Sequence, residues 1–101
     1  MPDFISVARV TDVAPGEAKV VHAGGTEVAL FNVEGTFYAI DNTCIHRGGP
    51  LGDGGCDGAT VICPWHGWQY DVKTGACLNS PGEGVDVYEV RVEGDDVQVK
   101  A

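Results

Sequence analysis

The sequence has 101 residues, of which 44% are hydrophobic, enough for one domain with a single small core. Fifteen acidic and six basic residues give a formal net charge of −9, which argues against binding to nucleic acid or to an anionic membrane surface. No hydrophobic run approaches the roughly 20 residues of a membrane span, and the first residues lack the features of a signal peptide. We therefore expect an acidic, cytoplasmic, single-domain protein.

Short β-rich runs, separated by turn residues, predict an all-β fold, and no stretch keeps the 3.6-residue period of a helix. Two of the runs flank Glu34 and Gly35, and two flank residues 93–95, so each pair is predicted to form a hairpin. The predicted strands cover residues 4–10, 18–22, 27–33, 36–40, 85–92 and 96–100. Together they predict an antiparallel sandwich or barrel, a base made from about residues 1–41 and 85–101.

Residues 42–84 differ from this base in composition. They are rich in Gly, Pro, Cys, Trp and His, with short strand-like pieces at residues 59–62 and 69–72. A loop-rich insert of this length is unusual in a compact domain unless something other than apolar burial holds it together. Metal coordination can supply that stabilisation. We therefore predict a metal-binding subdomain over about residues 42–84.

The insert contains two short motifs that each combine a cysteine with a histidine. They are Cys44-Ile-His46 and Cys63-Pro-Trp-His66, with sixteen residues between them. Thiolate and imidazole are good ligands for soft and borderline metal ions, and two equivalent motifs indicate one shared centre rather than a catalytic Cys/His pair. A structural zinc ion with two Cys and two His has the same ligand count, although zinc sites usually space their paired ligands further apart. Zinc stays open as an alternative.

The two motifs resemble the cluster-binding loops of the Rieske family, whose pattern is C-x-H, a spacer of about fifteen to seventeen residues, and C-x-x-H. The resemblance extends over residues 44–51 and 63–75, and the hairpin-rich remainder is similar to the family's antiparallel β base. It implies one [2Fe–2S] cluster. In that arrangement Cys44 and Cys63 bind one iron, and His46 and His66 bind the other.

The resemblance also implies which side chains tune the reduction potential. High-potential members of the family carry a disulfide between the two loops and a serine that donates to a cluster sulfur. Here Gly49 and Trp65 occupy the disulfide positions and Trp68 occupies the serine position, while Tyr70 keeps the tyrosine that can donate to a cysteine sulfur. Because fewer donors compensate the charge on the sulfurs, we expect a potential near the low end of the range of about −150 to +300 mV.

The remaining cysteines and histidine are predicted to lie outside the site. Cys56 and Cys77 are expected to be reduced thiols, as is usual in the cytosol, with a disulfide between them as the alternative. His22, beside two glycines and far from both motifs in sequence, is expected on the surface.

One-electron transfer is the function these features predict, because a four-ligand cluster has no open position for substrate and no other catalytic arrangement is evident. Residues 42–52 and 63–70 contain no Asp or Glu, which predicts an apolar docking tip on an acidic body. The electron exit is expected at His46 and His66. The other predicted docking residues are Ile45, Arg47, Pro50, Leu51, Pro64, Trp65 and Pro81.

Three functional classes are compatible with these features. The resemblance implies a monomeric Rieske ferredoxin, not itself an enzyme, that docks transiently with a flavoprotein reductase dependent on NAD(P)H and with a terminal oxygenase, typically one that acts on aromatic rings. The second class is a small subunit of a multi-subunit oxidoreductase such as assimilatory nitrite reductase. The third is an interaction module stabilised by zinc.

Overall fold

The computed structural model describes residues 4–43, 50–65, 67–80 and 82–100. These residues form β-strands and two single-turn 3₁₀ helices, with no α-helix in the described ranges, and none of their helical segments could cross a bilayer. The 3₁₀ turns are Val10–Asp12 and Leu51–Asp53. The strands are β1 (Phe4–Arg9), β2 (Ala18–Ala23), β3 (Thr26–Val33), β4 (Thr36–Asp41), β5 (Gly55–Asp57), β6 (Thr60–Ile62), β7 (Gln69–Asp71), β8 (Val87–Glu93) and β9 (Asp96–Lys100).

Six of the strands form the base predicted from the sequence. They pair in the order β1-β9-β8-β4-β3-β2, every pair is antiparallel, and β1 and β2 at the two ends of this order also approach each other. The sheet therefore nearly closes into a barrel, which protects its edges from pairing with other chains. The predicted antiparallel all-β fold is confirmed.

Strand β3 separates two hydrophobic cores, because both of its faces are covered. Val28 and Leu30 point into the core of the base, whereas Ala29 and Phe31 point to a second core outside it. The alternation follows from the two-residue period of a strand. The sequence of a strand that is buried on both faces is a continuous run of hydrophobic residues, and residues 28–31 form such a run.

The second core joins the base to a small antiparallel sheet with the order β5-β6-β7. From this sheet and its flanking loops, Leu51, Val61, Tyr70 and Val72 pack with the outer face of β3. Strands β6 and β7 correspond to the strand-like pieces expected at residues 59–62 and 69–72. The small sheet is thus packed against the base, and this packing fixes where the loops that leave the small sheet begin.

Strand β5 was not expected, because the glycines around it are turn signals. It forms by pairing with β6, where Gly55 lies opposite Ile62. At Gly54, a Cβ atom would overlap the carbonyl oxygen of Ile62, so the chain can approach β6 only with glycine at this position. Here the glycine marks a close backbone approach within a sheet.

Candidate metal centre

Cys63 is the one predicted metal ligand within the described residues, and it lies at the end of β6. Its backbone N–H donates to the Trp68 carbonyl oxygen at 2.7 Å, and the Gly67 N–H donates to the Cys63 carbonyl oxygen at 3.0 Å. Gly67 has φ of 75°, a conformation that favours glycine. The second motif therefore occupies the tip of the β6–β7 hairpin. Its other ligand, His66, lies outside the described residues.

The first motif lies in sequence between two residues that the fold brings together. Thr43 and Pro50 form an antiparallel bridge, and the Leu51 N–H donates to the Asn42 carbonyl oxygen at 2.7 Å. The described residues on either side of positions 44–49 are thus held together. Five predicted site positions in this segment lie outside the described residues: Cys44, Ile45, His46, Arg47 and Gly49.

A third loop, residues 77–83, is tied to the β6–β7 hairpin. The Leu78 N–H donates to the Gln69 carbonyl oxygen at 2.8 Å, and the Gln69 N–H donates to Oδ1 of Asn79 at 2.6 Å. The loop closes where the Cys77 N–H donates to the Glu83 carbonyl oxygen at 2.9 Å. This attachment places the loop along β7. Pro81, which was predicted near the docking surface, lies in this loop but outside the described residues.

The thiol of Cys63 is buried among apolar side chains. It belongs to the second core together with Tyr70 and Leu51, and Trp68 packs against that core from a half-buried position. An ionised thiol in apolar surroundings is unfavourable unless a cation compensates its charge. Coordination to a soft metal ion provides that compensation, so the surroundings of Cys63 fit a metal-bound thiolate. A donor set of thiolates and imidazoles fits an iron–sulfur cluster as well as it fits zinc.

Leu51 corrects the predicted docking surface. The sequence placed this side chain at the exposed tip, but it is completely buried in the second core. The prediction is wrong for this residue because the 3₁₀ turn that begins at Leu51 directs its side chain towards β3 and β6. Its role is to hold the end of the first loop against the base.

The other described tip residues vary in exposure. Trp65 is 56% exposed and Pro64 is also exposed, whereas Pro50 is half-buried. These three remain candidates for contact with a partner. Trp68 is half-buried against the core, which is consistent with shielding the site from water.

Two exposed apolar residues near the tip were not predicted from the sequence. Ile62 is 37% exposed and Leu78 is 52% exposed. Ile62 pairs with Gln69 across β6 and β7, and Leu78 follows on the other side of Gln69, so the three lie in one row on the outer face of the small sheet. No local signal in the sequence indicates this placement: it follows from the burial of Val61 and Cys77 in the second core, because the two-residue period then turns their neighbours outward.

The pairing register excludes a disulfide between Cys56 and Cys77. Cys56 pairs with Val61, Val61 with Tyr70, and Tyr70 with Cys77. Two strands therefore separate the cysteines, so their Cα atoms lie about 14 Å apart at ~4.8 Å per strand, whereas a disulfide needs less than ~7 Å. Cys77 is a buried thiol, as expected. His22 is exposed, as expected, with Nε2 3.7 Å from Glu27 Oε2.

The acid-free stretches of the sequence have exposed acidic residues near them in the chain. Residues 50–52 and 63–70 carry no acidic side chain, while Asp53 and Glu83, in the loops on either side, are both exposed. An apolar surface with an acidic margin is suited to brief contact with a partner that carries basic residues.

A small antiparallel β protein with a buried cysteine in a hairpin loop, in a sequence that contains two Cys/His motifs, fits the class of iron–sulfur proteins. The sequence profile of the Rieske [2Fe–2S] domain matches residues 3–93. The chain belongs to the Rieske [2Fe–2S] domain family, and the family membership supports a [2Fe–2S] cluster.

Several characterised relatives are similar over nearly their whole length. The ferredoxin component of the naphthalene 1,2-dioxygenase/salicylate 5-hydroxylase systems of Ralstonia sp is 35% identical, over 97% of this chain and 95% of that protein. The ferredoxin of carbazole 1,9a-dioxygenase from Nocardioides aromaticivorans IC177 superimposes with a TM-score of 0.90 at 30% identity, covering 96% of each chain. In a solved complex of reduced oxygenase and oxidised ferredoxin in carbazole 1,9a-dioxygenase, the matching chain has a TM-score of 0.87 and 33% identity, covering 96% of this chain and 92% of that one.

Proposed function

We propose that this protein is a Rieske ferredoxin, a cytoplasmic one-electron carrier between an NAD(P)H-dependent flavoprotein reductase and a terminal oxygenase that acts on aromatic rings. The observation that carries the proposal is the end-to-end similarity to the ferredoxin component of an aromatic dioxygenase system. The solved complex of a similar chain with its oxygenase supports the oxygenase as the acceptor. The chain itself carries electrons and catalyses no bond-making step.

The proposed cluster ligands are Cys44 and Cys63 on one iron and His46 and His66 on the other. When bound, the cluster supplies reversible one-electron chemistry at a potential raised by its neutral imidazole ligands. The support from this chain is the buried position of Cys63 and the closure of the first loop at Thr43 and Pro50. We further propose that residues 42–84 are the cluster-binding subdomain and that the two remaining parts form its base.

The proposed docking surface surrounds the second motif. It consists of Pro64 and Trp65 at the hairpin tip with Ile62 and Leu78 on the outer face of the small sheet, and His46 and His66 complete it as the electron exit. Small, transient redox interfaces rely on a modest apolar patch and on charge steering. This surface has both features, because Asp53 and Glu83 flank it.

Spectroscopy of the purified protein tests the proposal directly. We expect a coloured protein with two iron and two sulfide ions per chain, and a paramagnetic signal in the reduced state. NADH, a ferredoxin reductase of an aromatic dioxygenase system and its oxygenase component should support oxygen consumption only when this protein is added. A colourless protein that binds zinc would contradict the proposal and favour the interaction module.

Size-exclusion chromatography separates the carrier from the alternative of a tightly bound subunit. A freely diffusing carrier elutes as a monomer and forms no stable complex with either enzyme, because a transient electron carrier must release each partner in turn. Constant co-elution with a larger oxidoreductase, through purification from its native host, would instead favour the small-subunit class.

A further inference from the structure

Asn42 connects the base to both ends of the first ligand loop. Its side chain is 4% exposed, and it lies at the end of β4, two residues before Cys44. Oδ1 accepts the Gly52 N–H at 2.7 Å, and Nδ2 donates to Oε1 of Glu27 at 3.4 Å. One side chain thus joins β3 to the 3₁₀ turn that follows the loop.

The backbone of Asn42 makes the same two connections. Its N–H donates to the Glu27 carbonyl oxygen at 3.3 Å, and its carbonyl oxygen accepts the Leu51 N–H at 2.7 Å. The side chain and the backbone of this residue therefore make four hydrogen bonds, two to Glu27 and two to residues 51 and 52. Buried amide groups with satisfied partners specify a single arrangement of the chain around them.

The 3₁₀ turn at Leu51 and Gly52, which Asn42 contacts, is tightly packed. Leu51 is buried in the second core. A Cβ atom at Gly52 would lie 2.6 Å from Cγ2 of Val20, so the turn packs against β2 without space to shift. Thr43 is also held on the near side, because its N–H donates to Oδ1 of Asp41 at 2.9 Å. The described residues that flank positions 44–49 on both sides are therefore held in place by Asn42 and its partners.

We propose that Asn42 is a positioning residue for the metal centre, which fixes the first ligand pair, Cys44 and His46, relative to Cys63 on the small sheet. The inference rests on the proposed cluster. Groups that hydrogen-bond to metal ligands typically contribute roughly 10- to 100-fold to metal affinity, and we expect a residue that holds both ends of a ligand loop to contribute on the same scale. Asn42 is placed to do this, because it holds both ends of the loop that carries two of the four ligands.

Asn32 offers a matched control. Among the residues whose burial the structure describes, it is the other buried polar side chain, at 3% exposure. Its Nδ2 donates to the Val13 carbonyl oxygen at 2.8 Å, and its Oδ1 accepts the Gly35 N–H at 2.8 Å. These bonds lie at the other end of β3, next to the β3–β4 turn. Substituting Asn32 therefore removes similar hydrogen bonds while leaving the first ligand loop untouched.

The test compares Asn42→Ala with Asn32→Ala in the purified holoprotein. Three quantities are measured: the rate at which an iron chelator bleaches the visible absorbance, the paramagnetic spectrum of the reduced protein, and the midpoint of urea unfolding. We expect Asn42→Ala to bleach roughly 10- to 100-fold faster than the wild type, with a shifted or broadened spectrum. Asn32→Ala should lower the unfolding midpoint and leave the bleaching rate and the spectrum unchanged.

The inference is overturned if the two variants bleach at the same rate and both keep the wild-type spectrum. If an alanine variant fails to fold, Asn42→Ser and Asn32→Ser replace the pair, because each substitutes a small uncharged hydroxyl for the amide and adds no charge beside Glu27. Faster bleaching in Asn42→Ser alone supports the inference, and equal rates overturn it. A wild-type protein without iron would contradict the proposed function itself, so the two failures are distinguishable.

Discussion

Tyr70 and Cys77 pair across an antiparallel bridge, and both side chains are buried in the core that also contains the Cys63 thiol. Two cysteines thus share one core, but they differ in position: Cys63 lies at the tip of a hairpin, whereas Cys77 lies beyond β7. The proposed cluster requires the Cys63 thiolate as a ligand and does not require Cys77. Substitution of each cysteine in turn distinguishes these two roles.

Substitution of Cys63 by serine should abolish the visible absorbance and the reduced-state paramagnetic signal, because a thiolate ligand is lost. Cys77→Ala should keep both signals and cost only about 1 kcal/mol of stability, since it removes one buried sulfur atom. The comparison requires metal analysis of both variants. Retention of two iron ions by Cys63→Ser, or their loss from Cys77→Ala, would contradict the proposed ligand set.

Substitution of Leu78 by serine should weaken docking without changing the cluster. Its exposed side chain lies in the same row as Gln69 and Ile62 on the outer face of the small sheet. The variant should therefore raise the KM for the ferredoxin roughly three- to tenfold, as expected when about 1 kcal/mol of interface contact is removed. The assay is oxygen uptake with NADH, a reductase, the oxygenase component of a naphthalene 1,2-dioxygenase system and varied ferredoxin. The reduction potential should not move.

Val92→Ser serves as the control for Leu78→Ser. Val92 is similarly exposed, at 48%, but it lies near the end of β8, away from β8's contact with β4 and the first loop. Its substitution should leave the KM unchanged. Equal effects of the two substitutions would show that the assay reports general surface polarity rather than docking at the small sheet.

Tyr70→Phe should lower the reduction potential, if the tyrosine donates to a cysteine sulfur as the family resemblance implies. The loss of a donor leaves more negative charge on the sulfur and disfavours the added electron. Voltammetry of the wild type should give a value in the lower part of the family range of about −150 to +300 mV. A wild-type reduction potential well above zero would contradict the inference that few groups donate hydrogen bonds to the cluster sulfurs. A variant potential above that of the wild type would contradict the donor role of Tyr70.

Neutralising Asp53 and Glu83 together, as Asp53→Asn and Glu83→Gln, should slow electron transfer to the oxygenase roughly two- to tenfold at low ionic strength. At high salt the difference should disappear, because exposed charges are screened over about 10 Å or less. Stopped-flow oxidation of the reduced protein measures this rate. The paired control is Glu93→Gln at the end of β8 with Asp95→Asn in the β8–β9 turn. It should have a smaller effect, and identical effects would argue against local steering.

Glu34→Asn should stabilise the fold by roughly 0.5–1 kcal/mol. Glu34 has φ of 52° and precedes Gly35 at φ of 90°, so the β3–β4 turn has two left-handed residues, for which Asn-Gly is the preferred pair. Glutamate in this conformation is strained, whereas asparagine tolerates it. The urea midpoint measures the gain. Glu34→Ala retains the strain and should give no comparable increase.

The sequence alone was sufficient for the strands of the base and for the hypothesis of a metal centre. In strands such as β9, Val97 and Val99 are buried and their neighbours are not. The sequence of such a strand predicts which residues are buried, because apolar and polar residues alternate with a period of two. Soft ligands in two short motifs define a chemistry through residue type and local spacing. Both signals are local, so no knowledge of distant contacts was needed to find them.

Only the tertiary structure decided the positions that depend on pairing between distant segments. It showed that Leu51 is buried, that Ile62 and Leu78 share an outer face, and that Cys56 and Cys77 lie two strands apart. It also revealed the contacts of Asn42. Each of these facts follows from which segments pack together, and burial and register are properties of that packing rather than of any short stretch of sequence.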